Sequence, residues 1–424
     1  MRLTVPPTLR RTGWGLGDQM VSSLTNVALT IMVARSVSAA EFGTFSLLLA
    51  MYLVCVTVVR GLTSEPLLVR FSAAERTTLR RAVSQSSGAT VVAALLLVLV
   101  LTAVVLATGL VPKLPALIFL ATLPGLLLQD HWRHALLAAK EPHHAFANDV
   151  AWALAQLLAV TTLALTDHLT LVLLVLAWGG AANVAALVGL LQVRVLPRVC
   201  RAAQWLREQG DLAGRYAAEG FAFQGANQAT VFVVAAVAGL AAAGSLRAAQ
   251  TMFGPLTVLA LGVRLALVPE AVRAATRSLR RMTRLVLAAA ALFATVTAAW
   301  SVAVLLLPDA AGEALLGSSW ALAVPLLVYV AVDRLANATS TGPFLGLRAL
   351  ADSRRSLRAR MAVAALTVLG GVVGALVDGA RGAAIGAAAS SLISIVVWSY
   401  AFFRALAHRR AVQVDEAQPA GSAP

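Results

Sequence analysis

The sequence predicts an all-α integral membrane protein with about twelve transmembrane helices. They form two six-helix bundles, related by a pseudo-two-fold axis along the membrane normal around a central cavity. Three observations carry this prediction: the composition, the spacing of apolar windows and the alternation of arginine-rich connections. Of the 424 residues, 59% are hydrophobic and 12% are charged, and the mean hydropathy is +0.83. These values lie outside the range of soluble domains and place the chain in a membrane.

The apolar windows give the positions of the helices. A hydrocarbon core of roughly 30 Å needs about 20 predominantly apolar residues per helical span. Windows of this length predict spans near 14–37, 42–64, 83–108, 114–137, 146–166, 169–191, 216–239, 245–268, 284–307, 318–345, 360–378 and 382–406.

Arginine-rich connections alternate with short connections that carry few charges. The basic ones include Arg70–Arg81, Arg194–Arg215 and Arg348–Arg360. The positive-inside rule then places both termini in the cytoplasm, and we expect a multi-pass protein of the bacterial cytoplasmic membrane. The net charge of +15 follows from this topology and from attraction to anionic membrane lipid. We expect no nucleic-acid partner, because no basic soluble domain exists to bind one.

The longest cytoplasmic connection divides the predicted spans six and six. It contains Trp205 among arginines, which is typical of an amphipathic segment. We therefore expect an N-terminal bundle over 1–191, a cytoplasmic amphipathic linker over 192–215, a C-terminal bundle over 216–406 and a disordered cytoplasmic tail over 407–424.

The first and seventh spans are too polar to be simple membrane anchors. Aligning Gln19 with Gln224 brings their polar positions into register, which indicates two related helices. Each polar group costs several kcal/mol against lipid, so these faces should meet protein or a water-filled cavity. The predicted cavity-lining residues are Asp18, Gln19, Ser22, Asn26, Gln224, Asn227 and Gln228.

The start of the chain resembles a known family of transporters. The cues are the polar first helix, the connection that contains Ala34, Arg35 and Ser38, and the Glu-Phe-Gly at 41–43. This region is similar to polysaccharide flippases, in the superfamily of multidrug/oligosaccharidyl-lipid/polysaccharide exporters with a MATE-like fold. The resemblance implies a V-shaped cavity lined by the first and seventh helices. It also implies alternating-access transfer of a polyprenyl-diphosphate-linked oligosaccharide from the inner to the outer leaflet, for cell-surface polysaccharide biosynthesis.

That function would give the protein specific partners and no catalytic residues. The expected partners are membrane lipid, the lipid-linked oligosaccharide substrate and other membrane proteins of polysaccharide assembly. We expect no cofactor besides a coupling ion. We also expect no metal site, because His131 and His134 border a basic cytoplasmic loop where no further ligands converge.

Asp18 and Asp333 are the candidate ion-coupling residues. A carboxylate in a partly desolvated cavity can take up and release a proton, or it can help to hold Na⁺. The sequence leaves H⁺ and Na⁺ open. An alternative for Asp18 is a helix cap, and an alternative for Asp333 is a partner for an arginine.

Three arginines are candidate diphosphate-binding residues: Arg60, Arg264 and Arg334. The planar guanidinium matches phosphate oxygens, and Arg60 and Arg264 occupy corresponding places late in the second and eighth spans. The alternative is that these side chains reach lipid headgroups at the membrane surface.

Two other functions stay open on the sequence. The first is a cation-coupled exporter of drugs or other small molecules with the same fold. The second is a membrane glycosyltransferase or polysaccharide ligase, which usually needs a sizeable outer domain. The largest outer connection, Pro308–Ser319, offers only Asp309 and Glu313 as acidic groups.

Overall fold

The computed structural model describes residues 25–417 and confirms an all-α fold. In these residues, nine helices are long and apolar enough to cross a membrane, as expected for a multi-pass membrane protein. The longest, Arg354–Ala411, contains two predicted spans, because the backbone at Asp378 and Gly379 is not helical. Within this range the structure describes all side chains except those of Leu261, Arg264, Leu265, Ala266, Pro269, Ser353 and 412–417.

The chain divides into two units, and the first contains the residues up to Gly244 together with Glu313–Ser319. Its helices are α1 (25–36), α2 (Ala39–Val59), a π-helical turn (Arg60–Ser64), α3 (Glu65–Phe71), α4 (Arg76–Thr108), α5 (Lys113–Ala138), α6 (Pro142–Leu165), α7 (Leu171–Val193), a 3₁₀ turn (Val199–Arg201) and α8 (Ala202–Ala238).

The second unit contains Ser245–Gly312 and the residues from Trp320 onward. Helix α9 (Leu240–Thr251) begins in the first unit and continues into the second. The other helices are α10 (Gly254–Arg277), α11 (Leu279–Leu305), α12 (Asp309–Leu316), α13 (Ser319–Ala349) and α14 (Ser353–Ala417).

The residues that carry the family resemblance form the start of α2. The Glu41 backbone N–H donates to Ser38 Oγ at 3.3 Å, and the Ser38 backbone N–H donates to Glu41 Oε2 at 3.0 Å. This reciprocal capping box satisfies two N–H groups that a helix start leaves free. Two residues later, Gly43 lets α2 lie against the backbone of Leu240, where a side chain would collide with the carbonyl. The first cue therefore has a local cause, the cap of α2, and the second has a tertiary cause, the close approach to Leu240.

The interior of the first unit is built on aromatic side chains. Trp178 of α7 is fully buried, and its ring centroid lies 5.4 Å from that of Tyr52 and 5.9 Å from that of Phe119. These edge-on and stacked contacts fix α7 against α2 and α5. Leucines on the outer faces of α4 and α6, for example Leu99 and Leu158, are exposed, as expected of helices that face lipid.

The structure has one helix, α8, where the sequence predicts a linker and then a separate span. Residues Ala202–Ala238 form one continuous helix, which packs in the first unit against α2, the π-helical turn and α4. Trp205, which the amphipathic pattern placed at a membrane surface, is fully buried. The units of the structure divide after Gly244, and the domain boundaries at 191 and 215 stay predictions.

In the second unit, α14 folds back on itself. Gly379 has φ +51° beside Asp378, in the left-handed region that glycine adopts without strain. On the two arms, Gly370 faces Gly386 and Gly374 faces Gly382, with no room for a Cβ at any of the four. Small residues allow membrane helices to approach this closely. The glycines therefore form the packing face between the two arms of α14.

Candidate functional site

A π-helical turn in the middle of the second predicted span begins the polar interior of the first unit. It covers Arg60–Ser64, and α3 follows directly with Pro66 near its first position. Proline has no N–H, so the carbonyl of Leu62, four residues earlier, loses its usual helical donor. Trp205 Nε1 of α8 donates to that carbonyl at 3.1 Å. Single π-turns in α-helices occur often at functional sites, and this one displays Arg60.

Arg60 pairs with Asp130 of α5. Its Nε and Nη2 donate to Asp130 Oδ2 and Oδ1 at 2.8 and 2.6 Å. The Arg60 side chain is 34% exposed and that of Asp130 is 6% exposed. The bidentate pair fixes the guanidinium plane and does not involve the third nitrogen, Nη1. His134 supports the carboxylate, because its Nδ1 lies 3.6 Å from Asp130 Oδ2.

His131 ties the π-helical turn to α4. Its Nδ1 lies 3.1 Å from Ser64 Oγ, and its Nε2 lies 3.1 Å from Ser86 Oγ. Behind it, Thr90 Oγ1 donates to Thr63 Oγ1 at 3.0 Å. The imidazole is 1% exposed, so both ring nitrogens find partners within the protein. This network holds the neighbouring Asp130 in place.

A second ion pair lies one turn further along α5. Arg133 Nε is 3.5 Å from Asp149 Oδ2, and Gln129 Nε2 donates to Asp149 Oδ1 at 2.9 Å. Asn148 Nδ2 donates to the Ala185 carbonyl at 2.8 Å, which joins α6 to α7. Arg60 and Arg133 therefore each have an aspartate beside them.

The second unit has its own polar cluster on α13 and α14. Ser391 Oγ donates to Asp333 Oδ1 at 2.5 Å, and Asn337 Nδ2 donates to the same oxygen at 3.0 Å. Arg334 Nε lies 3.7 Å from Asp333 Oδ2. The arginine beside Asp333 is thus its chain neighbour Arg334, and the alternative of an arginine elsewhere in the chain stays a prediction. The coupling role of Asp333 stays a prediction.

The described part of the chain locates only some of the predicted cavity residues. Asn26 and Gln224 are half-buried, Gln228 is buried and Asn227 is exposed. Asp18, Gln19 and Ser22 lie outside the described residues, and so does the side chain of Arg264.

Sequence reasoning missed the pairing of Arg60 with Asp130. The two residues are 70 positions apart, and no local pattern in the sequence links them. A signal was available: both lie late in spans that run in the same direction, at the same predicted depth. It also missed Arg247 of α9, an arginine inside the eighth predicted window whose Nε is buried.

Comparison with solved structures shows the fold. A multidrug resistance MATE family transporter of the MOP superfamily, inward-facing, matches with a TM-score of 0.66 at 13% identity, covering 92% of this chain and 96% of its own. The lipid II flippase MurJ, inward closed, matches with a TM-score of 0.64 at 10% identity, covering 95% and 92%. A MOP superfamily transporter from Pyrococcus furiosus matches with a TM-score of 0.53 at 14% identity, covering 95% and 96%.

No protein-family model and no curated protein sequence matches the chain. The structural similarity nevertheless extends over nearly the whole length of each protein compared. The chain therefore has the MATE-like fold of MOP superfamily transporters.

Proposed function

We propose that this protein flips a polyprenyl-diphosphate-linked oligosaccharide from the inner to the outer leaflet of the bacterial cytoplasmic membrane, for cell-surface polysaccharide biosynthesis. The transporter fold supports movement of a cargo by alternating access. A lipid II flippase among the structural neighbours supports a lipid-linked cargo. In this proposal the protein is a transporter and not an enzyme.

The observation that carries the proposal is the orientation of three ion pairs inside the predicted spans. In each pair the arginine is the more exposed partner and the aspartate is the more buried one. The exposed fractions of the side chains are 34% and 6% for Arg60–Asp130, 14% and 3% for Arg133–Asp149, and 32% and 18% for Arg334–Asp333. The accessible edges of these pairs are therefore positive.

This polarity favours an anionic cargo over a cationic one. A guanidinium that a buried carboxylate holds in place can offer its remaining N–H groups to phosphate oxygens. A site for cationic drugs would instead expose the carboxylates and bury the arginines. The binding pocket of the Pyrococcus furiosus transporter has reverse polarity, which supports variation of interior charge on this fold.

The residues assigned to the diphosphate are Arg60, Arg334 and Arg264. Arg60 has the best support, since two of its nitrogens bond to Asp130 and Nη1 is left for a ligand. Asp18 and Asp333 are the proposed coupling residues, for H⁺ or Na⁺. Membrane proteins of polysaccharide assembly are the proposed partners.

The enzyme alternative receives less support. The largest predicted outer connection contains α12, and the carboxylate of Asp309 at its start accepts a hydrogen bond from Trp320 Nε1 at 2.9 Å. This hydrogen bond joins the start of α12 to α13, which is a structural role for the carboxylate. We therefore do not assign it a catalytic role.

The test combines a deletion strain with reconstituted protein. Deletion should abolish surface polysaccharide and cause its lipid-linked precursor to accumulate in the inner leaflet. Proteoliposomes should move a fluorescent polyprenyl-diphosphate oligosaccharide across the bilayer. Arg60→Gln should reduce the rate of movement at least about tenfold, because one charged hydrogen bond to phosphate contributes about 1.5 kcal/mol or more.

The matched control is Arg280→Gln, which removes one exposed arginine at the start of α11. It should leave the flipping rate unchanged. Normal surface polysaccharide in the deletion strain, together with lost efflux of cationic dyes, would overturn the flippase proposal in favour of the exporter.

A further inference from the structure

A surface cavity of about 330 Å³ lies in the second unit, at the end of α14 opposite the turn at Gly379. Both arms of α14 border it, the first arm over 354–377 and the second arm over 380–411. The positive-inside rule predicts that this end is cytoplasmic, at the level of the headgroups of the inner leaflet. The lining residues come from the two arms and from the connection between α13 and α14: Leu350, Ala351, Asp352, Arg354, Ala405, His408 and Arg409.

The bottom of this cavity is apolar and its rim is polar. Leu350 is 6% exposed and Ala405 is 1% exposed, and both belong to the hydrophobic core of the second unit. The side chains of Arg354, His408 and Arg409 are exposed and therefore form the rim. An apolar bottom below a few polar groups is typical of a site that binds an amphipathic molecule.

The rim carries an excess of positive charge. Asp352 is the acidic residue among the lining side chains, and Arg355 already neutralises it. The Arg355 backbone N–H donates to Asp352 Oδ1 at 3.0 Å, and the Arg355 guanidinium pairs with Asp352 Oδ2. Among the side chains that the structure describes, Arg354 and Arg409 take part in no ion pair. The cavity therefore offers two guanidinium groups, whose planar donors match phosphate oxygens.

An exposed apolar strip continues from the cavity along the first arm, toward the middle of the membrane. Leu357 and Met361 are 59% and 60% exposed. They follow Arg354 by three and seven residues, so the three side chains share one face of the helix. An acyl chain attached to a phosphate in the cavity can lie along this strip, whereas a soluble phosphate compound makes no contact with it.

We propose that this cavity binds the phosphate headgroup of an anionic glycerophospholipid of the inner leaflet. Arg354 and Arg409 donate to the phosphate oxygens from the two arms of α14, and His408 adds an imidazole N–H. The apolar bottom contacts the glycerol carbons, and an acyl chain follows the strip of Leu357 and Met361. The site lies outside the ion pairs assigned to the cargo, and it does not depend on the proposed function.

Native mass spectrometry of the full chain in a neutral maltoside detergent tests this site. The protein is titrated separately with dioleoyl phosphatidylglycerol, dioleoyl phosphatidylcholine and sn-glycerol 3-phosphate. Wild-type protein should bind phosphatidylglycerol most tightly. Arg354→Gln and Arg409→Gln should each weaken that binding about tenfold, because each removes a charged hydrogen bond to phosphate. The double variant Arg354→Gln/Arg409→Gln should bind more weakly than either.

The matched control is the double variant Arg358→Gln/Arg410→Gln. It removes two exposed arginines from the same two arms, and neither of them lines the cavity. It should bind phosphatidylglycerol like wild type. Equal losses of binding in the two double variants would show attraction by the total basic charge of this end, without a specific site, and would overturn the proposal.

The other probes and the unfolding temperature decide the remaining questions. Equal binding of phosphatidylcholine would overturn the preference for an anionic headgroup, and equal binding of sn-glycerol 3-phosphate would overturn the assignment to a lipid. Phosphatidylglycerol should raise the unfolding temperature of wild type and of the control, but not that of Arg354→Gln/Arg409→Gln. If this variant unfolds at a lower temperature without lipid yet binds phosphatidylglycerol like wild type, the two arginines are structural and the proposal fails.

Discussion

Removing Arg60 and removing Asp130 should lower the free energy of unfolding by different amounts, although the two residues form one ion pair. Arg60→Gln leaves a carboxylate that is 6% exposed without its two guanidinium donors. Removing one partner of a buried pair costs about 3–5 kcal/mol of unfolding free energy. Asp130→Asn leaves an arginine that is 34% exposed and can move toward water, so we expect about 1–2 kcal/mol.

The double variant Arg60→Gln/Asp130→Asn removes both charges and lets two amides replace the pair. It should be more stable than Arg60→Gln alone, with a coupling energy of about 2–3 kcal/mol between the two positions. The free energy of unfolding is measured by steric trapping in bicelles. Arg280→Gln is the surface control and should stay within about 0.5 kcal/mol of wild type.

The reasoning fails if Asp130→Asn is the more destabilising single variant, or if the coupling energy is below about 0.5 kcal/mol. The same double variant separates stability from transport. It should fold, yet it should not flip a diphosphate-linked lipid, because the positive edge of the pair is gone. A folded double variant with the wild-type flipping rate would remove Arg60 from the diphosphate site.

Three further predictions concern the frame around the site, each measured as the unfolding free energy. Trp205→Phe should cost about 1–2 kcal/mol, and adding Pro66→Ala should recover most of it by restoring a helical N–H to the orphaned carbonyl. Gly43→Ala should cost about 1–3 kcal/mol by forcing α2 from the start of α9, whereas Gly225→Ala, where nothing lies within 4 Å, should gain about 0.5–1 kcal/mol. Ser38→Ala should cost about 1 kcal/mol through the lost cap, and Ser38→Thr should cost less. An equal loss at both glycines, or no recovery by Pro66→Ala, would contradict these assignments.

Local signals in the sequence predicted local structure well. The polar residues near the start of the second span predicted a family, and the capping box of Ser38 and Glu41 explains why such residues recur at a helix start. The pair Asp378-Gly379 lies between two predicted spans, and the positive φ of the glycine forms the turn there. In each case the cause lies within a few residues, where composition and geometry are directly linked.

Reasoning from local patterns failed for Trp205, because its side chain suits both a membrane surface and a protein interior. Trp205 among arginines is typical of a membrane surface, but it is equally suited to a buried position with one polar partner. The carbonyl of Leu62, which accepts a hydrogen bond from Trp205, decides between the two environments. It belongs to the π-helical turn, far from Trp205 in the chain. Amphipathicity describes which face is apolar, and it does not say whether lipid or protein covers that face.

The sequence by itself determined that this chain crosses the membrane many times and that arginines set its topology. Helices in lipid must satisfy their own backbone groups, so length and hydrophobicity are sufficient to identify them. Only the tertiary structure decided that Arg60 pairs with Asp130 and that Arg133 pairs with Asp149. The partner of a buried charge depends on which helices become neighbours and at what depth, and contacts between distant segments decide both.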